Sequence, residues 1–285
     1  MRRWVTGLAL FCAVPLANAN PVSVRVVAAN LTSGNHQSYS PDNGNHSNPE
    51  GAGARILAGL RPDVALVQEF NTSVPARQWV NATFGTGFSV FIESGAEIPN
   101  GIVSRFPIVE SGEWDDPTQT NRDFAWAKIA LPNGKFLWAI SVHLYARKAE
   151  GRLEQARVLA GNIRTKVPAG DLVVLGGDFN TRSRDEACVR TLAGVLEIPA
   201  EPPADAAGNS ATNAPRKLPY DWVLADADLQ RCEEPVRIRT EEFSHGLVFD
   251  SRVFQPLADV APIQPGDSAA PNMQHMAIVR DFLVP

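Results

Sequence analysis

Cysteine is scarce in this chain and never closely spaced. Three occur in 285 residues, at Cys12, Cys188 and Cys232. With no C-x-x-C pair, neither a zinc site nor thioredoxin-type redox chemistry is suggested. Basic residues are also thinly spread: 26 Lys and Arg stand against 31 Asp and Glu, a formal net charge of −5. Without a dense Lys/Arg stripe, tight non-specific binding of long nucleic acid is argued against, since that affinity comes from neutralising phosphates. A nuclease that binds weakly and works through a metal is not excluded. The chain lacks an apolar run of about 20 residues, the length needed to cross a bilayer. It also lacks internal repeats, low-complexity tracts and linkers. Residues 20–285 therefore read as one domain of ordinary globular composition, and nothing points to a protein partner.

What is present begins with a targeting segment. Arg2 and Arg3 give a positive start, residues 8–16 are apolar but short, and Ala17-Asn18-Ala19 is a small-residue cleavage site. This order predicts a signal peptide over residues 1–19 and an exported mature chain, periplasmic or secreted. Cys12 would leave with it. Cys188 and Cys232 would then be an even pair in an oxidising compartment, compatible with one disulfide or with two buried thiols.

Residues 22–29 alternate and are rich in valine, which predicts a strand. Residues 33–48 form a polar loop, and Asn48-Pro49 reads as the start of a helix carrying Ile56, Leu57 and Leu60. Short apolar strands follow at 64–67 and 172–175. Residues 123–131 and 136–144 read as a hairpin around Asn133-Gly134, 150–166 as a helix, and 199–219 as a long loop. Late strands are expected at 221–225 and 276–284. Residues 84–91 are the nearest approach to an exposed apolar tip but read more easily as a strand. Mixed hairpins and helical crossovers predict an α/β (α+β) sandwich.

Four polar residues end apolar strands: Asn30, Glu69, His143 and Asp178. Strand ends are where a rigid sheet presents side chains to a cleft. Taken singly, each reads better as a residue that caps or solvates its strand. Their company is more specific. Gln68-Glu69, Ser141-Val142-His143-Leu144, Gly177-Asp178-Phe179-Asn180, Tyr220-Asp221-Trp222-Val223-Leu224 and Gln274-His275 stand in order along the chain. With Ile102-Val103-Ser104-Arg105-Phe106-Pro107-Ile108, they resemble the motifs of the endonuclease/exonuclease/phosphatase superfamily. The resemblance runs from Asn30 to Val279. It implies a four-layered sandwich, two packed mixed β-sheets flanked by helices, and a metal-dependent hydrolase of phosphate esters.

The resemblance also implies roles that the chemistry supports. Cleaving a phosphate ester requires neutralising non-bridging oxygens, activating water and stabilising a leaving oxygen. Glu69 with Asn30 would hold Mg²⁺, with Mn²⁺ as the alternative, because hard cations take oxygen ligands. Asp178 and Asn180 would orient the water and the phosphoryl oxygens. His143 would donate to the phosphate, and Asp221 would hold His275 against the phosphoryl group. Arg122, Arg182 and Arg184 are candidates to grip phosphate through the guanidinium fork. His36, Asp42 and His46 in the polar loop read as solvated.

One position departs from the family pattern. Gln274 stands where the family has Asp, and a neutral amide cannot act as a carboxylate base. Three substrate kinds fit: nucleic acid, nucleotides and small phosphorylated molecules, with a phosphodiesterase or nuclease-type activity preferred. Two other readings stand beside it, a phospholipid head-group hydrolase and a phosphate-binding protein whose catalysis Gln274 has impaired.

Overall fold

A computed structural model describes residues 20–32, 50–72 and 74–285. The expected signal segment, the loop at 33–48 with His36, Asp42 and His46, and the helix start at Asn48-Pro49 lie outside the described residues.

β1 (Val22–Asn30) shows why the chain builds layers. Val24, Val26 and Ala28 face one apolar core, and Val27 and Ala29 face another. Side chains alternate along a strand, so one that is apolar on both faces, as β1 is from Val26 to Ala29, must be covered on both. β2 (Val64–Gln68) pairs parallel to β1. β3 (Ser89–Ile92) and β4 (Gly101–Ser104) extend that sheet antiparallel. The second sheet runs in chain order: β5 (Ile108–Trp114), β6 (Phe124–Ala130), β7 (Phe136–His143), β8 (Leu172–Asp178) and β9 (Asp221–Ala225). Only β7 and β8 are parallel in it. β10 (Glu233–Glu234) returns to the first sheet, and β11 (Val236–Ile238) and β12 (Glu241–Phe243) form a hairpin. β13 (Leu247–Phe249) and β14 (Ala277–Val284) complete the first sheet, whose order is β10-β14-β1-β2-β4-β3 with β13 also on β14.

α1 (Ala52–Leu60) and α2 (Ala76–Phe84) share a core with the outer face of the first sheet. α3 (Ala149–Lys166) and α4 (Ala187–Leu192) cover the second. α5 (Ala227–Gln230) is a single turn after β9. Between the sheets lies a third core, with Ala28, Leu66, Ala127, Ala139, Val174, Val223 and Ile278. The result is the expected four-layered sandwich of two packed mixed sheets.

Local chemistry sets the boundaries. α1 stops at Arg61, which turns left-handed (φ 52°), donates its N–H to Leu57 O, and is followed by a proline. α3 carries Glu150 in its first turn and Arg164 and Lys166 in its last, matching the helix dipole. Ala156, Leu159, Ala160 and Ile163 are its buried apolar stripe. A parallel pair needs a crossover, and α3 supplies it between β7 and β8. The hairpin at Asn133-Gly134 forms as expected, with Gly134 at φ 84°.

One expectation is corrected. Residues 84–91 are no single strand: Phe84 ends α2, the strand is Ser89–Ile92, and Phe84, Phe88 and Phe91 pack against the cores. β7 has two buried faces. Trp138, Ile140 and Val142 meet the helices, while Leu137 and Ala139 meet the other sheet. By alternation His143 continues the inter-sheet face. Cys188 and Cys232 are free thiols: Cys188 sits in the helix-side core and Cys232 beside the inter-sheet core, on opposite faces of the second sheet. The loop at 199–219 is held firmly. Arg216 pairs with Asp205 at 2.7 Å and Asp250 at 2.5 Å, both carboxylates buried.

Candidate active site

The two parallel pairs bring their C-terminal ends to one place. Asn30 lies opposite Gln68, His143 opposite Asp178, and Asp178 opposite Asp221 across the ladder. Beneath them, Gln68 Nε2 donates to Ser141 Oγ (2.9 Å), which donates to Val67 O (3.0 Å). That chain ties the two sheets together under the site. β8 approaches closely because residue 177 is glycine: a Cβ there would lie 2.1 Å from Val142 O.

Asp178 is the hub, and it is buried. Its Oδ1 accepts from the Asn180 backbone N–H at 2.8 Å. Its Oδ2 accepts from Asn180 Nδ2 at 3.1 Å and Asn30 Nδ2 at 3.2 Å. His143 Nε2 lies 3.2 Å from the same oxygen and His275 Nε2 3.6 Å from it. His275 Nδ1 is 3.0 Å from Asp221 Oδ2. Glu69 Oε1 lies 3.3 Å from Asn30 Nδ2 and 4.0 Å from His143 Nδ1. Glu69 (φ 51°) and Asn180 (φ 53°) both hold left-handed backbone. Asparagine tolerates this; for glutamate it is strain that the surrounding fold must hold in place.

Electrostatics separates the groups. Burial pushes the Asp178 carboxyl up, against the pull of His275, with Asp221 adding to the rise. Burial works against a charged His275, but the Asp221 and Asp178 carboxylates together raise it overall. His143 goes the other way: burial first, then the charges of Arg122 and His275, hold it well below the ordinary histidine value. The site thus sets a cationic His275 beside a neutral His143.

A second layer holds these groups. Thr32 donates its backbone N–H to Asn30 Oδ1 at 2.8 Å. Thr212, on the pinned loop, accepts the Asp221 N–H on its Oγ1 (2.8 Å) and the Met276 N–H on its carbonyl (2.7 Å). Nothing in the local sequence marked Thr212; its role depends on contacts to residues 9 and 64 positions away. Glu69, His143, Asp178, Asn180, Gln274 and His275 line one cavity of about 790 Å³, with Arg122, Tyr145 and Tyr220 among its other walls.

The structure thus gathers Asn30, Glu69, His143, Asp178, Asn180, Asp221 and His275 into one cluster. Gln274 is exposed at its rim, its backbone N–H 3.3 Å from Thr32 Oγ1. Arg182 and Arg184 are placed otherwise. Their guanidinium groups lie over the rings of Tyr220 (5.3 Å) and Trp222 (4.4 Å), and neither lines the cavity. Local sequence could not foretell those stacks, because both rings arrive from β9 and the residue before it.

A family model described as the endonuclease/exonuclease/phosphatase family matches residues 43–244. The chain belongs to that family. No curated protein sequence matches it. Among solved structures, zebrafish (D. rerio) TDP2 complexed with a single-strand DNA product aligns at TM-score 0.59 and 18% identity, covering 91% of this chain and 98% of that one. An endonuclease/exonuclease/phosphatase from Beutenbergia cavernae gives 0.62 and 17%, covering 92% and 72%. A family protein from Bacteroides thetaiotaomicron gives 0.61 and 15%, covering 93% and 99%. At these identities the likeness bears on the fold. Membership brings with it a phosphoester hydrolase.

Proposed function

We propose that this protein is an exported, divalent-metal-dependent hydrolase of phosphate esters, acting as a phosphodiesterase of the nuclease type. One observation carries the reading: a buried carboxylate, Asp178, surrounded by Asn30, Asn180, His143 and a histidine that Asp221 holds. Export rests on the sequence of residues 1–19 alone.

Two places could hold a metal. The ligand atoms of Asp178, Asp221 and His275 lie within 4.8 Å of one another. There, however, Asp221 and His275 already satisfy each other's charge through their 3.0 Å hydrogen bond. The Glu69 and Asp178 oxygens converge on the Asn30 amide, within 3.3 Å and 3.2 Å. The Asn30 carbonyl oxygen keeps a second lone pair beyond its bond to Thr32. Two carboxylates are a hard donor set, which fits Mg²⁺ or Mn²⁺ at Glu69 with Asp178 adjoining; Asn30 would join them once its amide turns its oxygen, rather than its NH2, toward that gap. Such a cation supplies charge neutralisation at the phosphate's non-bridging oxygens.

The chain's own residues carry the rest. Asp178, its carboxyl raised by burial, takes a proton from the attacking water. Asn180 fixes the orientation of that carboxylate through two donors. The new P–O bond forms as the ester P–O bond breaks, and the leaving oxygen takes its proton from solvent. His275, cationic beside Asp221, offers Nε2–H to a phosphoryl oxygen and stabilises the charge that develops there. His143 is neutral; its Nε2 lies on Asp178, and its buried Nδ1, with no hydrogen bond among the described residues, is left for substrate or water.

No observation favours the two alternatives. The exposed large hydrophobics among the described residues are Val109 and Leu283, a slender basis for a lipid-docking tip. Impaired catalysis rests on Gln274 alone, while every other cluster member is present. The test is hydrolysis of a bis-aryl phosphate, an aryl phosphate and plasmid DNA by the mature chain with Mg²⁺ or Mn²⁺. Turnover that a chelator abolishes and added metal restores, fastest on the diesters, is the expected result. Turnover indifferent to chelator, or none on any ester by a folded protein that binds metal, contradicts it.

A further inference from the structure

Three arginines are buried among the described residues: Arg122, Arg152 and Arg280. Two have an obvious reason. Arg152 Nε donates to Glu186 at 2.9 Å, and Arg280 Nε to Glu233 at 2.8 Å. Arg122 is different. Its Nε donates to His143 O at 2.8 Å, one terminal nitrogen to Leu144 O at 3.4 Å, and the other to Asn121 Oδ1 at 3.2 Å. All three acceptors are neutral. A guanidinium has five N–H donors, so two remain uncommitted. Burial disfavours its charge, and the carboxylates of Asp178, Glu69, Asp116 and Glu93 offset this only through space, since none of them accepts a hydrogen bond from it. Here the side chain also lines the cavity with Glu69, His143, Asp178 and His275.

The bonds Arg122 does make explain its pose. Two of them grip the carbonyls at the end of β7, the strand that delivers His143. A guanidinium fixed in this way presents its remaining donors as a planar fork, a shape that matches phosphate oxygens. We propose that Arg122 is a catalytic residue that binds a non-bridging oxygen of the substrate phosphate. The anion missing from its hydrogen bonds is the substrate's own. This rests on the phosphoester reading of the same site and adds a second anion contact beside that of His275.

The competing explanation is structural: Arg122 merely secures the end of β7. Binding of inorganic phosphate separates the two. Calorimetric titration would use the mature chain at constant Mg²⁺, comparing wild type with Arg122→Lys and Arg122→Gln. Mn²⁺ binding without phosphate would be measured on each protein, with thermal unfolding as a check on folding. The expected result is phosphate affinity lower by roughly 10- to 100-fold in Arg122→Gln, with Mn²⁺ affinity unchanged. Arg122→Lys should be intermediate, since an ammonium keeps the charge and loses the fork. Should Arg122→Gln unfold, Arg122→Lys provides the second reading: phosphate affinity should fall below wild type while Mn²⁺ affinity holds. Equal phosphate affinity in folded wild type and variants overturns the proposal, as does a wild type that binds no phosphate at millimolar concentration. Ester hydrolysis by wild type, measured separately, tests the proposed function. If turnover is present but phosphate affinity is unaffected by the substitutions, Arg122 loses its role and the function stands; the reverse pattern spares Arg122 and removes the function.

Discussion

Replacing Gly177 by alanine should damage both the fold and the site, by an amount that the structure sets. The added methyl would lie 2.1 Å from Val142 O and 2.7 Å from Gln68 Nε2, where real contacts stay beyond 3.0 Å. Val142 belongs to β7 and is locked to β8 by the parallel ladder, so its carbonyl cannot withdraw. The backbone at Gly177 has φ 137°, a conformation that side-chain-bearing residues rarely adopt. Strain of that kind costs about 1–3 kcal/mol, and overpacking a closed interior a further ~1–3 kcal/mol. Together they remove roughly 2–6 kcal/mol from a domain stability on the order of 5–15 kcal/mol. Gly170→Ala is the control, since Gly170 also has positive φ (93°) but a methyl there would meet nothing within 4 Å. It should cost about 1–3 kcal/mol, the conformational part alone. Urea unfolding with a constant m-value reads the difference. Equal losses at the two positions, or a Gly177→Ala loss below about 1 kcal/mol, would refute the claim that β7 and β8 touch too closely for any side chain.

Two further outcomes follow from charge. Burial pushes the Glu93 carboxyl from 4.5 to about 8, despite the hydrogen bonds that Asn100 donates to it. A raised carboxyl binds its proton more tightly when folded, so its contribution to stability is present below pH 4.5 and is lost as pH rises toward 8. At about 1.4 kcal/mol per unit, that slope is worth up to roughly 5 kcal/mol; Glu93→Gln should flatten the stability-against-pH curve over that window, and a curve unchanged by the substitution would contradict it. Asp221→Asn removes the nearest charge holding His275 in its protonated form, so the His275 pKa should fall, as read by proton NMR of the imidazole, and kcat should drop by about 10²- to 10⁴-fold if Asp221 orients His275 as acids do in other histidine-based sites. A His275 titration unmoved by Asp221→Asn would remove the dyad from the account.

How much was legible in the sequence depends on where each interaction comes from. β1, β2 and β8 could be read because runs of valine, leucine and alanine end abruptly at a polar residue, β9 because such a run starts at Asp221, and those ends meet. The cluster around Asp178 was legible for the same reason. α2 was not: its sequence Ala76-Arg77-Gln78-Trp79-Val80-Asn81-Ala82-Thr83-Phe84 contains Val, Asn and Thr, which favour other conformations. It is held instead by burial of Trp79 against Phe70 and Phe84, ring centroids 5.0 and 5.9 Å apart. The separate fates of Cys188 and Cys232 depended on which side of a sheet each reaches. That Arg122 hydrogen-bonds carbonyls rather than a carboxylate was equally hidden, because those acceptors lie 21 and 22 residues further along.

The most direct test of the central claim, that the Asp178 carboxylate is the base of a phosphoester hydrolase, is the rate of metal-dependent bis-aryl phosphate hydrolysis by Asp178→Asn against wild type. Asparagine keeps the shape and removes the charge. A fall of about 10²- to 10⁴-fold, with the variant still folded, is the predicted result; a folded Asp178→Asn protein within about tenfold of wild type would contradict the account, since a group contributing that little is no general base.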